Sequence, residues 1–209
     1  MKQNKPFVIG LSGLSGSGKT FYINHLKKIL KDDLSIISFD DYYRPIEELV
    51  IDENGVPNFD LPSALYSDLY LEHLNDLIAG KRVEKEQYQF ELENPASKTL
   101  TIEPAPVIMA EGLFIFEIKP IRELLDLKVF LSSDEAVCLN RRLKRDTEER
   151  GITKERSSYQ WTKHVMPAYE KYILPYKPSC ELKYHNEGTP SDNLNHLTKT
   201  LQERTGIVL

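Results

Sequence analysis

Residues 13–20 read GLSGSGKT, an instance of G-x-x-x-x-G-K-[ST] anchored by Gly13, Gly18, Lys19 and Thr20. The flanks give the string its meaning. Before it lies an apolar run, residues 7–11, too short for a signal-peptide core or a membrane span but suited to a buried strand. After it, residues 20–30 place Ile23, Leu26 and Leu30 on one face of a helix. Strand, glycine-rich turn and helix in that order make a cradle for phosphate. Gly13, Gly16 and Gly18, with Ser15 and Ser17 between them, let backbone N–H groups converge where a Cβ would obstruct, and the helix N-terminus adds partial positive charge. In such a cradle Lys19 reaches the β- and γ-phosphates of a nucleoside triphosphate, and the Thr20 hydroxyl ligates Mg²⁺. A dinucleotide turn is disfavoured: G-x-G-x-x-G counted from Gly16 needs glycine at position 21, which is Phe21.

The rest of the chain alternates apolar runs with amphipathic stretches. Residues 35–39 read as a second short strand and 40–62, with Gly, Pro, Asn and Asp, as an extended loop. Residues 64–79 read as a helix presenting Leu65, Leu69, Leu74, Leu77 and Ile78, ended by Gly80. Residues 83–90 and 99–102 pair as a hairpin outside the main sheet. The runs 107–110 (opened by Pro106) and 127–131 do not alternate, which predicts strands buried on both faces, as in parallel sheets. Asp134 caps an arginine-rich helix to about Glu149, broken at Gly151. A further helix over about 154–171 is disturbed at Pro167, and a last one spans about 191–204 after a Gly-Thr-Pro turn. The expected fold is a three-layer α/β domain, a parallel sheet flanked by helices. One domain takes in residues 1–209, with a hairpin insertion at about 82–103 and an arginine-rich lid at about 134–160.

Composition narrows the partners. The 209 residues suffice for one domain with a sizeable core, and the net charge of −5 argues against a general nucleic-acid binder. Cys138 and Cys180 show no metal-type spacing and read as free thiols. With no targeting segment or membrane span in view, the expectation is a cytoplasmic protein with no membrane partner.

Two acidic positions complement the phosphate cradle. Glu111 ends the run 107–110, and a carboxylate at a strand end beside the cradle holds Mg²⁺ directly or through water. Asp40 and Asp41 follow the second strand, at the end where open α/β sheets bind ligands. One of the pair accepts a proton from a substrate hydroxyl in line with the γ-phosphate; adjacent residues on extended chain point oppositely, so only one faces the site. Arg141, Arg142, Arg145 and Arg150 gather guanidiniums that clamp a transferring phosphoryl group, with Arg142 and Arg145 on one helical face. Glu148 and Glu149 offer a blander reading, a solvated helix with arginine–glutamate pairs.

The phosphate loop, the DDYYR segment at 40–44, NFDLPSA at 58–64, the strand ending AEG at 110–112, and RRLKRDTEERG at 141–151 followed by Gln160 and Pro167 keep the order and spacing of one family. Over about residues 7–180 the chain resembles uridine kinases, the pyrimidine-nucleoside kinases of the P-loop fold. The resemblance implies an ATP- and Mg²⁺-dependent transfer to the 5′-hydroxyl of a nucleoside, with a homo-oligomeric assembly. It implies Asp40 as the base, Asp60 and Arg142 as ribose contacts, Tyr43 and Tyr88 as contacts to the nucleobase, and Gln160 as a substrate-pocket residue. Arg145 and Arg150 belong to the flap over the triphosphate.

Two departures bear on the acceptor, and a third lies further along the chain. The family has histidine where this chain has Glu93 and arginine where it has Ile152, both facing the base, and its C-terminal PRG-like segment is replaced by Tyr184-His185-Asn186-Glu187-Gly188. A changed set of donors changes which base is accepted. A related P-loop kinase acting on phosphoribulose, pantothenate or a nicotinamide riboside stays open. So does a nucleotide-binding regulator, although Lys19, Asp40 and Glu111 are all present. A guanine-specific switch is disfavoured because no N-K-x-D or T-K-x-D segment is present.

Overall fold

The computed structural model describes residues 5–88, 98–187 and 191–207. The far part of the 82–103 insertion, with Phe90 and Glu93, and the Gly-Thr-Pro turn at 188–190 lie outside the described residues.

The non-alternating runs form the interior of a parallel sheet. β1 (Phe7–Gly13) lies between β5 (Val107–Glu111) and β6 (Leu127–Ser132). β2 (Leu34–Ser38) pairs with β5, and β7 (Leu182–His185) with β6, giving the order β2-β5-β1-β6-β7. Side chains leave a strand alternately to either side, and here both sides are apolar. Val8, Ile37, Ile108 and Phe130 pack on one face with Tyr70, Leu74 and Leu77 of α2 (Ser67–Ile78). Ile9, Leu11, Met109 and Val129 pack on the other with Tyr22, Leu26 and Leu30 of α1 (Lys19–Leu30) and Leu194, Leu197 and Leu201 of α7 (Ser191–Thr205). The three layers follow. A separate two-stranded antiparallel sheet joins β3 (Val83–Glu86) to β4 (Thr99–Ile102), and the short α3 (Lys119–Glu123) lies between β5 and β6 in the chain.

Four local readings change. The helix expected over 64–79 begins at Ser67: Pro62 opens a tight turn that takes in Ala64, and Leu65 bridges to Tyr43. Its buried face is set by Tyr70, whose hydroxyl donates to the Ile37 carbonyl at 3.1 Å, which leaves Leu69 exposed. The helix expected over 154–171 is regular only in α5 (Lys154–Gln160). Wide turns at Trp161–Val165 and Tyr169–Ile173 flank the short α6 (Met166–Ala168), which contains Pro167. A proline has no N–H to close an ordinary turn, and wider turns absorb the break. Asp134 stands at the start of α4 (Glu135–Glu149), but its side chain caps nothing; its N–H donates to Glu187 Oε1 at 3.0 Å. Finally, β7 was not foreseen, because an edge strand with only Tyr184 buried carries no apolar run. Among the described residues no helix is long and apolar enough to cross a membrane.

Candidate active site

The parallel register brings three strand ends together. β1 runs into the glycine-rich turn, Ser38 is paired with Glu111 across β2 and β5, and Leu11 is paired with Glu111 across β1 and β5. Above these ends opens a cavity of about 890 Å³.

The loop turns where only glycine fits. Gly16 has φ +81° and a Cβ there would overlap the Cys138 carbonyl; Gly18 has φ +102° and a Cβ would overlap the Asn186 amide. Asn186 explains that close approach. Its side-chain NH₂ donates to the Ser17 carbonyl at 2.9 Å, its N–H to the Ser132 carbonyl at 2.7 Å, and its carbonyl accepts from Ser133 Oγ at 2.8 Å. Asn186 thus ties β6, the stretch after β7 and the phosphate loop into one unit. Arg141 adds a second brace, donating to the Gly16 carbonyl at 3.2 Å.

Ser15, Gly16, Gly18, Lys19 and Thr20 line the cavity, whereas Gly13 and Ser17 are not on its wall. Ser17 is fully buried and its N–H donates to the Leu14 carbonyl at 3.0 Å.

Lys19, Asp40 and Glu111 line the same cavity and act on one another electrostatically. Lys19 Nζ donates to the Gly13 carbonyl at 3.2 Å. Burial lowers its pKa, opposed by the charges of Glu111 and Asp40. Burial raises the Glu111 pKa to about 7, helped by Asp40 and opposed by Lys19 and by the hydroxyl of Ser38, which donates to Glu111 Oε1.

Of the acidic pair, Asp40 lines the cavity. Asp41 turns to the β3–β4 sheet, where Lys85 Nζ lies 3.6 Å from its carboxylate and donates to its backbone carbonyl at 3.0 Å. The two diverge although the chain is not extended there: Phe39–Tyr42 is a single tight helical turn, with the Asp40 N–H donated to Ser38 Oγ at 3.3 Å.

The far side of the cavity is aromatic and polar. Tyr43 packs edge-on to Phe59 at 5.6 Å and tilted against Tyr88 at 5.4 Å. Asp60 is 5% exposed, and burial raises its pKa against the pull of Arg142 and then His164. Gln160, also 5% exposed, reaches the wall with its Oε1 unpartnered among the described residues. Ile152 lies on the same wall.

The arginines converge through a residue the sequence reading passed over. Asp146 is fully buried. Its Oδ1 accepts from Arg145 Nε at 3.2 Å and NH2 at 2.9 Å, with Arg150 NH1 at 3.6 Å. Its Oδ2 accepts from Ser157 Oγ at 2.7 Å and lies 3.2 Å from Arg142 Nε. Burial would raise the Asp146 pKa, but Arg142 and Arg145 outweigh it and hold the carboxyl below its usual range. Arg142 continues inward and donates to Ser15 Oγ at 3.2 Å. Glu148 and Glu149 take no part in these contacts; one aspartate aims three guanidiniums at the cavity.

Parallel strand order, glycine-rich loop and converging arginines define a P-loop kinase. The chain belongs to the phosphoribulokinase/uridine kinase family, whose model matches residues 8–188. It is 36% identical over 174 residues to a uridine kinase of Streptococcus thermophilus (strain ATCC BAA-491 / LMD-9), covering 83% of this chain and 82% of that one. It is likewise 36% identical over 179 residues to a uridine kinase of Halalkalibacterium halodurans, covering 83% and 82%. Among solved structures, a possible uridine kinase from Bacillus stearothermophilus superposes with a TM-score of 0.63 at 18% identity, over 88% of this chain and 91% of that one. Shikimate kinase from Acinetobacter baumannii does so at 0.53 and 15%, over 95% and 94%. At such identities the superpositions speak for the fold.

Proposed function

We propose that this protein moves the γ-phosphoryl group of ATP to a primary hydroxyl, the 5′-hydroxyl of a nucleoside. The observation that carries this reading is the placement of Asp40: it shares one cavity with Lys19 and Glu111 on the phosphate side and with Tyr43, Asp60 and Tyr88 on the other. Asp40 accepts the hydroxyl proton as the acceptor oxygen bonds to the γ-phosphorus and the bond to the β-phosphate oxygen breaks, releasing ADP. Lys19, Arg145 and Arg150 line the cavity and face the charge on the transferring group. Asp60 and Arg142 hold the ribose hydroxyls, while Tyr43 and Tyr88 flank the base. The Thr20 hydroxyl and the buried carboxylate of Glu111 are hard oxygen donors that fit Mg²⁺, which when bound supplies positive charge to the β- and γ-phosphates.

Ile152 on the cavity wall favours an acceptor whose base differs from uracil and cytosine, since an aliphatic chain offers no donor. Purified protein with Mg-ATP, tested against nucleosides and small hydroxylated metabolites for ADP and phosphorylated product, decides between these. Turnover on uridine or cytidine supports the pyrimidine reading. Turnover on another acceptor alone keeps the mechanism and reassigns the substrate. ATP binding without any product overturns the proposal.

A further inference from the structure

Asp52 lies outside the cavity wall, yet four donors meet on its carboxylate. Oδ1 accepts the N–H groups of Asn54 at 2.9 Å and Val56 at 2.8 Å, which folds residues 52–56 into a tight turn closed by the Ile51–Pro57 bridge. Oδ2 accepts the Tyr159 hydroxyl at 2.7 Å and faces His164 Nε2 at 2.8 Å. Asn54 Nδ2 donates to the same Tyr159 hydroxyl at 2.7 Å. Burial alone would raise the Asp52 pKa, but the donors from Val56, Tyr159 and His164 together hold it well below the usual carboxylate range. His164 is 3% exposed.

What this contact joins is the point. The turn leads straight into Phe59 and Asp60, which line the acceptor side of the cavity. Tyr159 and His164 bracket Gln160, which lines it from α5 and the turn that follows. Phe59 and Asp60 on one side and Gln160 on the other come from segments about a hundred residues apart. Among the described residues, the side-chain hydrogen bonds between residues 50–58 and 154–165 run through Asp52 or Asn54.

We propose that Asp52, with Tyr159 and His164, is a positioning latch that sets the spacing between Asp60 and Gln160 and so the fit of the acceptor. The proposal rests on the acceptor side assigned under Proposed function. Misplacing binding groups by about 1 Å costs productive orientation, while the phosphate loop, held separately by Asn186 and Arg141, is untouched by the latch.

The test compares three proteins: wild type, the double variant Tyr159→Phe/His164→Leu, and His164→Gln. The double variant keeps the Asn54 and Val56 bonds to Asp52 while cutting the link to the helix. Gln at 164 retains a donor for the carboxylate. Steady-state kinetics use Mg-ATP and the best acceptor from the nucleoside panel, and amide exchange is followed over residues 52–60. The double variant is expected to raise the acceptor KM about tenfold, the scale of a lost charged hydrogen bond, with the Mg-ATP KM unchanged, faster exchange over 52–60, and most of both effects reversed in His164→Gln. An unchanged acceptor KM, or equal rises in both KM values, overturns the latch. If wild type phosphorylates no acceptor, the functional reading falls and exchange decides the latch: protection lost only in the double variant supports it, and equal protection in all three overturns it.

Discussion

Ser38 and Glu111 are register partners at the C-terminal ends of adjacent parallel strands, and the serine hydroxyl donates to the glutamate carboxylate. The pairing holds an acidic side chain beneath the phosphate loop at 8% exposure. Without ligand that position is costly. The Glu111 pKa is raised from 4.5 to about 7 by burial and by Asp40, so the folded protein binds a proton that the unfolded chain gives up above about pH 4.5. The stabilising contribution of the protonated form is complete below pH 4.5 and lost as pH rises toward 7 and beyond. Glu111→Gln keeps an acceptor for Ser38 and removes the titration. The ligand-free variant is expected to exceed wild type by about 3 kcal/mol at pH 8, with the gap closing toward pH 5. Denaturant melts with chelator present at both pH values check this; a gap independent of pH refutes it.

Asp40→Asn preserves size and removes the base. Asp40 sits on the cavity wall while Asp41 is engaged by Lys85. The variant is expected to lose about 10²- to 10⁴-fold in kcat, the usual worth of a positioned base, with ATP affinity retained by titration calorimetry. Asp41→Asn is expected to keep kcat within about tenfold, since its neighbour Lys85 serves the β3–β4 sheet. A larger loss in Asp41→Asn than in Asp40→Asn reverses the assignment.

Gly16→Ala tests the phosphate loop by sterics alone. The position needs positive φ, and the Cys138 backbone occupies the space a methyl group would take. Backbone, unlike a long side chain, cannot swing aside, so the loop must shift. ATP affinity is expected to fall at least about tenfold, a cost of the order of strain at one such residue, with the acceptor cavity intact by nucleoside binding. Unchanged ATP affinity shows that the loop reshapes freely.

How far the sequence alone reaches differs from part to part. The runs 107–110 and 127–131 announced the sheet because strands buried on both faces need apolar side chains throughout. The phosphate loop was legible because its glycines, lysine and threonine are contiguous. Asn186 was not: its bond to Ser17 spans 169 residues and rests on β7, an edge strand with no apolar signature. The Asp40–Asp41 choice depends on Lys85, which only folding brings near. Asp146 was half legible. It stands four residues after Arg142 and four before Arg150, spacing that favours helical ion pairs. Glu148 and Glu149 offered equally plausible partners, and only burial selected Asp146.

That selection makes Asp146→Asn the sharpest probe of the arginine cluster. The substitution keeps the shape of the side chain, and its amide oxygen can still accept one bond. It removes the charge that offsets three guanidiniums, of which Arg142 is the most deeply buried. Breaking a buried ion pair by removing one partner costs about 3–5 kcal/mol; Arg145 and Arg150 keep some contact with water, so the lower end, about 3 kcal/mol, is expected for stability. Turnover responds separately. Guanidiniums no longer gathered at Asp146 must be positioned by substrate itself, so kcat is expected to fall more than the KM for ATP rises. Denaturant melts and steady-state kinetics on the same preparations distinguish the two. A variant that loses stability while keeping kcat shows that the arginines find their places without Asp146 once substrate is bound.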